Sequence, residues 1–228
     1  MKKRVLSGLA VMFFIFCAQA VAEEKGLVSY WSFDEGKGEA VYDKAGKNNG
    51  EIVNAEWVSG KVGKALKFSG DSCYVSIPCS KSLDISDAIT IEAWVRHEGD
   101  DFKGWECILS KGDTAYRLHI FPGTFVFDFG ANIGGGFNDL QATESPESGV
   151  WYHVAATYDG DKSCIYVNGK LSGSADWPGP IDTNEFDLYI GENSESAGRF
   201  FSGAIDEVKI YNRALSGVEI KDHYDKTK

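Results

Sequence analysis

The chain has 228 residues, with 23 Lys and Arg against 34 Asp and Glu and a formal net charge of −11. That acidic balance argues against partners that demand cationic neutralisation, so neither nucleic acid nor an anionic membrane is expected. It also weighs against a strongly anionic polymer ligand unless a local basic patch overrides the mean.

Residues 1–22 read as a secretory signal. Lys2, Lys3 and Arg4 form a basic start, Val11 to Phe16 lie in an apolar stretch short for a membrane span, and Ala20-Val21-Ala22 is a small-x-small cleavage site before Glu23. Cys17 follows Phe16 rather than a small residue, so lipid anchoring is not expected. The protein is therefore expected to be secreted or periplasmic, without membrane insertion, and residues 23–228 to form one domain. Cleavage would leave 20 basic against 34 acidic residues on 206, enough chain for one sandwich with a real core.

Past the signal, Tyr30-Trp31-Ser32-Phe33-Asp34-Glu35-Gly36 alternates apolar and polar residues like a strand. Short runs of the same kind recur about every ten residues, split by Gly, Asp, Asn and Ser turns. The clearest are Ala65–Phe68, Tyr74–Ile77, Ile89–Arg96, Cys107–Ser110, Tyr116–Phe121 and Phe125–Phe129, then Tyr152–Tyr158, Cys164–Val167 and Leu188–Ile190. Asp159-Gly160-Asp161 and Asn168-Gly169 mark tight turns, because Gly and Asn tolerate positive φ. Gly203 to Arg213 is a final strand, and only the tail, Leu215 to Tyr224, looks helical. About a dozen strands without interleaved helices predict an all-β fold, a two-sheet antiparallel jelly-roll β-sandwich.

Cys73, Cys79, Cys107 and Cys164 remain after cleavage, and an even number in an exported chain permits two disulfides in three connectivities. Cys73–Cys79 is the least favoured pair, since the extended residues between them would hold the Cα atoms roughly 20 Å apart, against about 5.5 Å for a disulfide. Free buried cysteines, behaving as small hydrophobes, are the alternative.

Several blocks follow one another in a characteristic order. They are Trp31-x-Phe33-Asp34-Glu35-Gly36, Gly63-Lys64-Ala65-Leu66-x-Phe68-x-Gly70, Thr90-Ile91-x-Ala93-Trp94-Val95 and Leu109-Ser110-Lys111-Gly112. Trp151-Tyr152-His153-Val154-Ala155-Ala156-Thr157-Tyr158-Asp159-Gly160, Ile165-Tyr166-Val167-Asn168-Gly169, Ile190-Gly191 and Gly203-x-Ile205-Asp206-Glu207-Val208-x-Ile210-Tyr211-Asn212-Arg213 complete the series. The set resembles the laminin-G-like, pentraxin-like jelly roll of the concanavalin A-like superfamily over essentially the whole mature chain. The resemblance implies the fold and a bias towards glycan or protein binding, usually with calcium. It implies no reaction, because this fold hosts lectins, adhesion modules, glycosidases and lyases.

The terminal strands each carry an Asp-Glu pair, and if they lie side by side Asp34 and Asp206 converge. Asp43 and Asn48, in the turn Asp43 to Gly50, would add oxygens for a hard cation that wants six to eight of them. The expected ligands are Asp34, Asp43, Asn48 and Asp206, and the resemblance also implies calcium near paired terminal strands. Against this, Asp and Asn populate turns for local hydrogen bonding alone.

Alternation also sorts a ligand face. Ile89, Ile91, Ala93 and Val95 share one side of their strand, leaving Glu92, Trp94 and Arg96 on the other; Arg117, His119 and His153 point outward in the same way. An aromatic plate with charged groups suits a sugar, although a large mid-strand aromatic such as Trp94 is more often covered. Trp105 and Trp177 stand beside turn residues, where each either stacks on a ligand or folds back over the core. Gly134-Gly135-Gly136-Phe137 could shape a rim and is not a phosphate loop, since no helix start follows it. No nucleophile elbow, His-x-x-x-His pair or Glu-x-Asp-x-Glu set occurs. The expectation is therefore an exported, calcium-stabilised module without catalysis that binds a glycan or a cell-surface or extracellular protein. A polysaccharide lyase using Arg117, His119 and His153 on a uronate polymer is the alternative.

Overall fold

The alternating runs are realised as strands in a computed structural model that describes residues 24–99 and 104–228. The signal segment with its cleavage position, and Phe102 and Lys103, lie outside the described residues. In chain order the strands are β1 (Leu27–Trp31), β2 (Ala40–Val41), β3 (Gly50–Val53), β4 (Glu56–Ser59), β5 (Lys64–Ser69), β6 (Tyr74–Ile77), β7 (Ile89–His97) and β8 (Glu106–Ser110). They continue as β9 (Tyr116–Ile120), β10 (Phe127–Ile133), β11 (Gly136–Gln141), β12 (Trp151–Tyr158), β13 (Lys162–Val167), β14 (Lys170–Asp176), β15 (Leu188–Ile190) and β16 (Ser202–Tyr211), followed by helix α1 (Gly217–Thr227).

Two antiparallel sheets result. The first runs β14-β13-β12-β7-β16-β5-β4, with β1 also paired to β16; the second runs β11-β10-β9-β8-β15-β6-β3-β2. Hairpin-linked neighbours such as β12-β13-β14 and β8-β9-β10-β11 alternate with pairs far apart in sequence, β7-β12, β7-β16, β5-β16 and β8-β15, as in a jelly roll. Across the first sheet Ile210, Ile91, Ala156 and Ile165 form one row of partners. Across the second, Leu118, Phe129 and Leu140 form another. Both rows belong to one buried core with Trp31, Phe33, Leu66, Phe68 and Phe201, each such side chain contributing about 1.5–3 kcal/mol by leaving water.

Strands β2, β3, β4, β11 and β14 escaped the sequence reading, and the last two begin after a tight turn. Gly134 and Gly135 take φ of 59° and 78°, so the expected rim segment is a hairpin turn that launches β11. Asn168 and Gly169, at 51° and 73°, do the same for β14. Ser216 caps α1 with a reciprocal Ser216–Glu219 capping box.

The possible disulfides are not formed. Cys73, Cys79, Cys107 and Cys164 are all free. The Cys73 thiol donates to the Asn54 carbonyl at 3.1 Å, and burial pushes the Cys107 thiol up to about 12. Cys73 and Cys107 are buried, as the free-cysteine alternative had it, whereas Cys79 is exposed and Cys164 partly covered.

Candidate functional site

The expected ligand residues divide between the two sheets. Glu92, Trp94 and Arg96 do share the outer side of β7, with His153 of β12 directly opposite Trp94. That side is covered by α1. Trp94 Nε1 donates to Thr227 Oγ1 at 2.9 Å, and its ring stacks on Tyr224 at 5.7 Å. Glu92, Trp94 and His153 are left 1%, 2% and 3% exposed, too little for any of them to meet a ligand.

Glu92 is the centre of this covered layer. His223 Nδ1 of α1 lies 3.0 Å from it, Lys209 Nζ 3.4 Å and His153 Nε2 3.6 Å, and the Tyr211 hydroxyl donates at 3.3 Å. Burial favours the protonated carboxyl, but hydrogen bonds from His153 and His223 and the charge of Lys209 outweigh it, holding Glu92 well below the usual range. The same contact with Glu92 raises His223, against the opposing effect of burial. Arg96, only partly covered, pairs with Glu98 at 2.8 Å and lies 5.0 Å over the Trp151 ring. This set docks a helix and is not a ligand face.

Arg117 and His119 lie on the outer side of the second sheet, where β9 places them opposite Gly130 and Asp128 of β10. Arg117 Nη2 donates to Asp139 of β11 at 2.6 Å and Nη1 to the Asp113 carbonyl at 3.1 Å. Gly130 allows this, because a Cβ there would stand 2.5 Å from the guanidinium carbon. Arg199 Nη1 donates to the Asp113 carboxylate at 2.7 Å. Burial pulls Asp113 upward, but a Ser196 hydrogen bond and the charges of Arg199 and Arg117 prevail and hold it low. The Arg199 guanidinium lies 5.1 Å from the Trp105 ring, and Arg117 lies 5.8 Å from the ring of Phe137, which is 62% exposed. A band of alternating aromatic and charged groups therefore crosses the sheet from Phe137 to Trp105.

At the Trp105 end the band opens into a cleft of about 310 Å³, lined by Trp105, Phe200, Asp71, Glu106, Ser202 and two glycines. Its walls come from the loop after β5, the start of β8 and the loop before β16. Trp105 is half-buried, its ring edge-on to Phe121 at 4.8 Å. Glu106 is anchored by His97 at 3.1 Å and accepts from the Ser202 amide at 3.2 Å. Trp177 stands elsewhere, stacked on the core residue Phe129 at 6.1 Å, so it caps the core. Arg117 and His153 being on different sheets, the lyase trio is not assembled. Phe200, Asp71, Arg199, Asp113 and Asp139 went unnoticed because they sit in loops or on an unrecognised strand.

The terminal strands do meet, β1 running antiparallel to β16 with Trp31 opposite Val208. The register of β16 breaks between Asp206 and Lys209, where Glu207 takes φ of 53°. Asp206 Oδ2 accepts from the Val62 amide at 2.9 Å, and Asp34 Oδ1 from the Lys64 amide at 3.1 Å. Both acids thus reach one turn, residues 60–64, and Gly63 (φ 61°) is required there because any Cβ would run into the Asp34 carboxylate. Burial, and then the charge of Glu207, push Asp206 up to about 7 against its backbone hydrogen bonds. Among the described residues no Lys or Arg pairs with Asp206, so its ionised form lacks a counter-charge, and a hard cation would supply it. Asp206 Oδ1 also accepts from the Glu207 amide at 2.8 Å, and Asp34 Oδ2 faces Lys44 Nζ at 3.5 Å, so the two acids can supply only part of a cation's oxygen shell.

Asp43 and Asn48 are tied more fully into their own turn. Asp43 Oδ1 accepts the amides of Tyr30, Ala45 and Gly46 at 2.9–3.0 Å and Oδ2 that of Asn48 at 3.0 Å. The Asn48 side chain is bound to Ser29, Ser80 and Ser82 at 2.7–3.2 Å. Their oxygens are committed to holding the turn, which is the local role that Asp and Asn take in turns generally.

A family model described as the concanavalin A-like lectin/glucanases superfamily matches residues 69–221. The chain belongs to that superfamily. Within its fold, the chain superposes on domain 4 of AbnA, a GH43 extracellular arabinanase from Geobacillus stearothermophilus solved with arabinotriose, with a TM-score of 0.69 and 22% identity over 86% of this chain and 97% of that one. The binding domain of Paraclostridial Mosquitocidal Protein 1 gives a TM-score of 0.72 and 18% identity over 88% and 52% of the two chains. The binding domain of botulinum neurotoxin DC, in complex with rat synaptotagmin II, gives 0.69 and 15% over 89% and 52%. This chain thus spans about half the length of either toxin domain. At these identities the likenesses speak for the fold. Among curated proteins, human adhesion G-protein coupled receptor D1 is 34% identical over 89 residues, which are 37% of this chain and 10% of the receptor.

Proposed function

We propose that this protein is an exported carbohydrate-binding module, non-catalytic and stabilised by calcium. The observation that carries the reading is the cleft beside Trp105. There an aromatic pair, Trp105 and Phe200, meets the exposed Asp71 carboxylate over a floor that includes the buried Glu106, at the loop end of a superfamily sandwich. Aromatic faces stack on the apolar side of a sugar ring while carboxylates and hydroxyls accept its O–H groups. Arg199, partly exposed beside Trp105, extends that surface for a longer chain. That domain 4 of the arabinanase was solved with arabinotriose gives a precedent on this fold.

Asp34 and Asp206 would hold the calcium ion, which supplies counter-charge and ties the first strand to the last. Export rests on the basic and apolar start of the sequence and its Ala20-Val21-Ala22 site. A glycan array probed in calcium tests the reading. Binding to a defined neutral glycan supports it; an empty array alongside tight capture of a purified extracellular receptor domain overturns it in favour of an adhesion module. Release of unsaturated products from uronate polymers would overturn the non-catalytic part.

A further inference from the structure

We propose that His119, Asp128 and Asp139 form a binding site for a borderline divalent cation of the zinc class, on the outer side of the second sheet. The three come from adjacent strands, β9, β10 and β11. His119 is the direct partner of Asp128, and Asp139 lies one same-face step along, opposite Gly130. One ligand atom from each lies within 4.8 Å of the other two.

The site's chemistry is otherwise unexplained. His119 and Asp128 are both fully buried. Their approach, Nε2 to Oδ1, is 2.9 Å, yet no nitrogen of His119 and no carboxylate oxygen of Asp128 makes a hydrogen bond with a described residue. Buried polar groups are nearly always satisfied, and a group left without a partner calls for an explanation such as an ion. Arg117 gives its Nη atoms to Asp139 at 2.6 Å and to the Asp113 carbonyl at 3.1 Å, and its buried Nε, 3.7 Å from Asp113, makes no hydrogen bond with His119 or Asp128.

An imidazole nitrogen with two carboxylates suits zinc better than calcium, which prefers an all-oxygen shell. Bonds of about 2.1 Å set tetrahedral ligand atoms roughly 3.4 Å apart, and Asp139, which is exposed, can rotate to close the remaining gap. A carboxylate can hold a metal through one oxygen and Arg117 through the other, the outer contact orienting the ligand. Trp105 stands edge-on to His119 at 4.8 Å and shields the ring from solvent. Three protein ligands leave a fourth position for water or a ligand group.

The test is titration of chelator-stripped protein with Zn²⁺ by calorimetry, in millimolar calcium so that any hard-ion site is already filled. One Zn²⁺ per chain is expected, with affinity lowered at least tenfold by His119→Gln and by Asp139→Asn. Co²⁺ should give a visible absorption band and quench tryptophan emission, and Trp105→Phe should remove most of the quenching while keeping the stoichiometry. Asp139 is exposed, so its variant decides the matter even if the buried His119 variant fails to fold. Absence of Zn²⁺ binding by the parent at 100-fold molar excess, or unchanged affinity in Asp139→Asn, overturns the site.

Discussion

Replacing Glu92 by Gln tests how α1 is held. The carboxylate is 1% exposed and faces His223 at 3.0 Å, Lys209 at 3.4 Å, His153 at 3.6 Å and the Tyr211 hydroxyl at 3.3 Å. Removing one member of a buried ionic group costs about 3–5 kcal/mol, because the others are left uncompensated. Lys209 and His223 retain 17% and 14% side-chain exposure, so partial hydration places the cost at the low end, about 3 kcal/mol. For a domain of this size that lowers the melting temperature by roughly 6–12 °C. Loosening α1 also uncovers Trp94, so its emission should shift to the red before global unfolding. The pH signs follow from the two shifts. Glu92 lies low in the folded state, so its contribution is present above its unfolded value, about 4.3, and is lost as pH falls through its folded one. His223 is raised, so its contribution is complete below about 6.5 and is lost as pH climbs through its folded value. Urea unfolding should then show the parent losing stability as pH rises above about 6.5, and Glu92→Gln losing less over the same rise. A variant within 1 kcal/mol of the parent, with the same pH slope, would refute the clamp.

Chelator should lower the melting temperature of the parent more than that of Asp34→Ala or Asp206→Ala, since an ion at a hundredfold excess over its dissociation constant adds about 2.7 kcal/mol to the native state; differential scanning calorimetry reads this. Gly130→Ala should cost about 1–3 kcal/mol in urea unfolding by forcing a Cβ into the Arg117 guanidinium, where an exposed strand glycine would tolerate the change. Mass mapping after alkylation should find Cys73, Cys79, Cys107 and Cys164 as thiols, with Cys79, the exposed one, modified first in the native protein.

Much of this was legible in the residues. Alternation in Ile89–Arg96 put Ile89, Ile91, Ala93 and Val95 in the core, and all four are buried. The paired Asp-Glu motifs brought Asp34 and Asp206 to one turn, since strand alternation and terminal pairing are local and topological facts that sequence carries. The ligand face was only half legible. Alternation says which side of its own strand a residue takes, and not which sheet that strand joins or what lies over it. Glu92 and Arg117 both point away from the core, but on opposite sheets. The cover over Trp94 comes from His223, Tyr224 and Thr227 of a helix whose composition reads as solvent-facing. Asp128 stood between Phe127 and Phe129 in an expected strand, and pairing that strand with Tyr116–Phe121 would have set it against His119. Asp113 and Arg199 meet across 86 residues of chain, a loop-to-loop contact that no periodicity encodes.

The most direct test of the binding account is a calorimetric titration of the glycan selected on the array, comparing the parent with Trp105→Ala and Phe200→Ala. The account predicts that each substitution weakens binding at least tenfold, about 1.4 kcal/mol, while the variants stay folded and keep the calcium response of the parent. Unchanged affinity in both variants would contradict it, and would move the ligand away from the cleft between Asp71, Trp105 and Phe200.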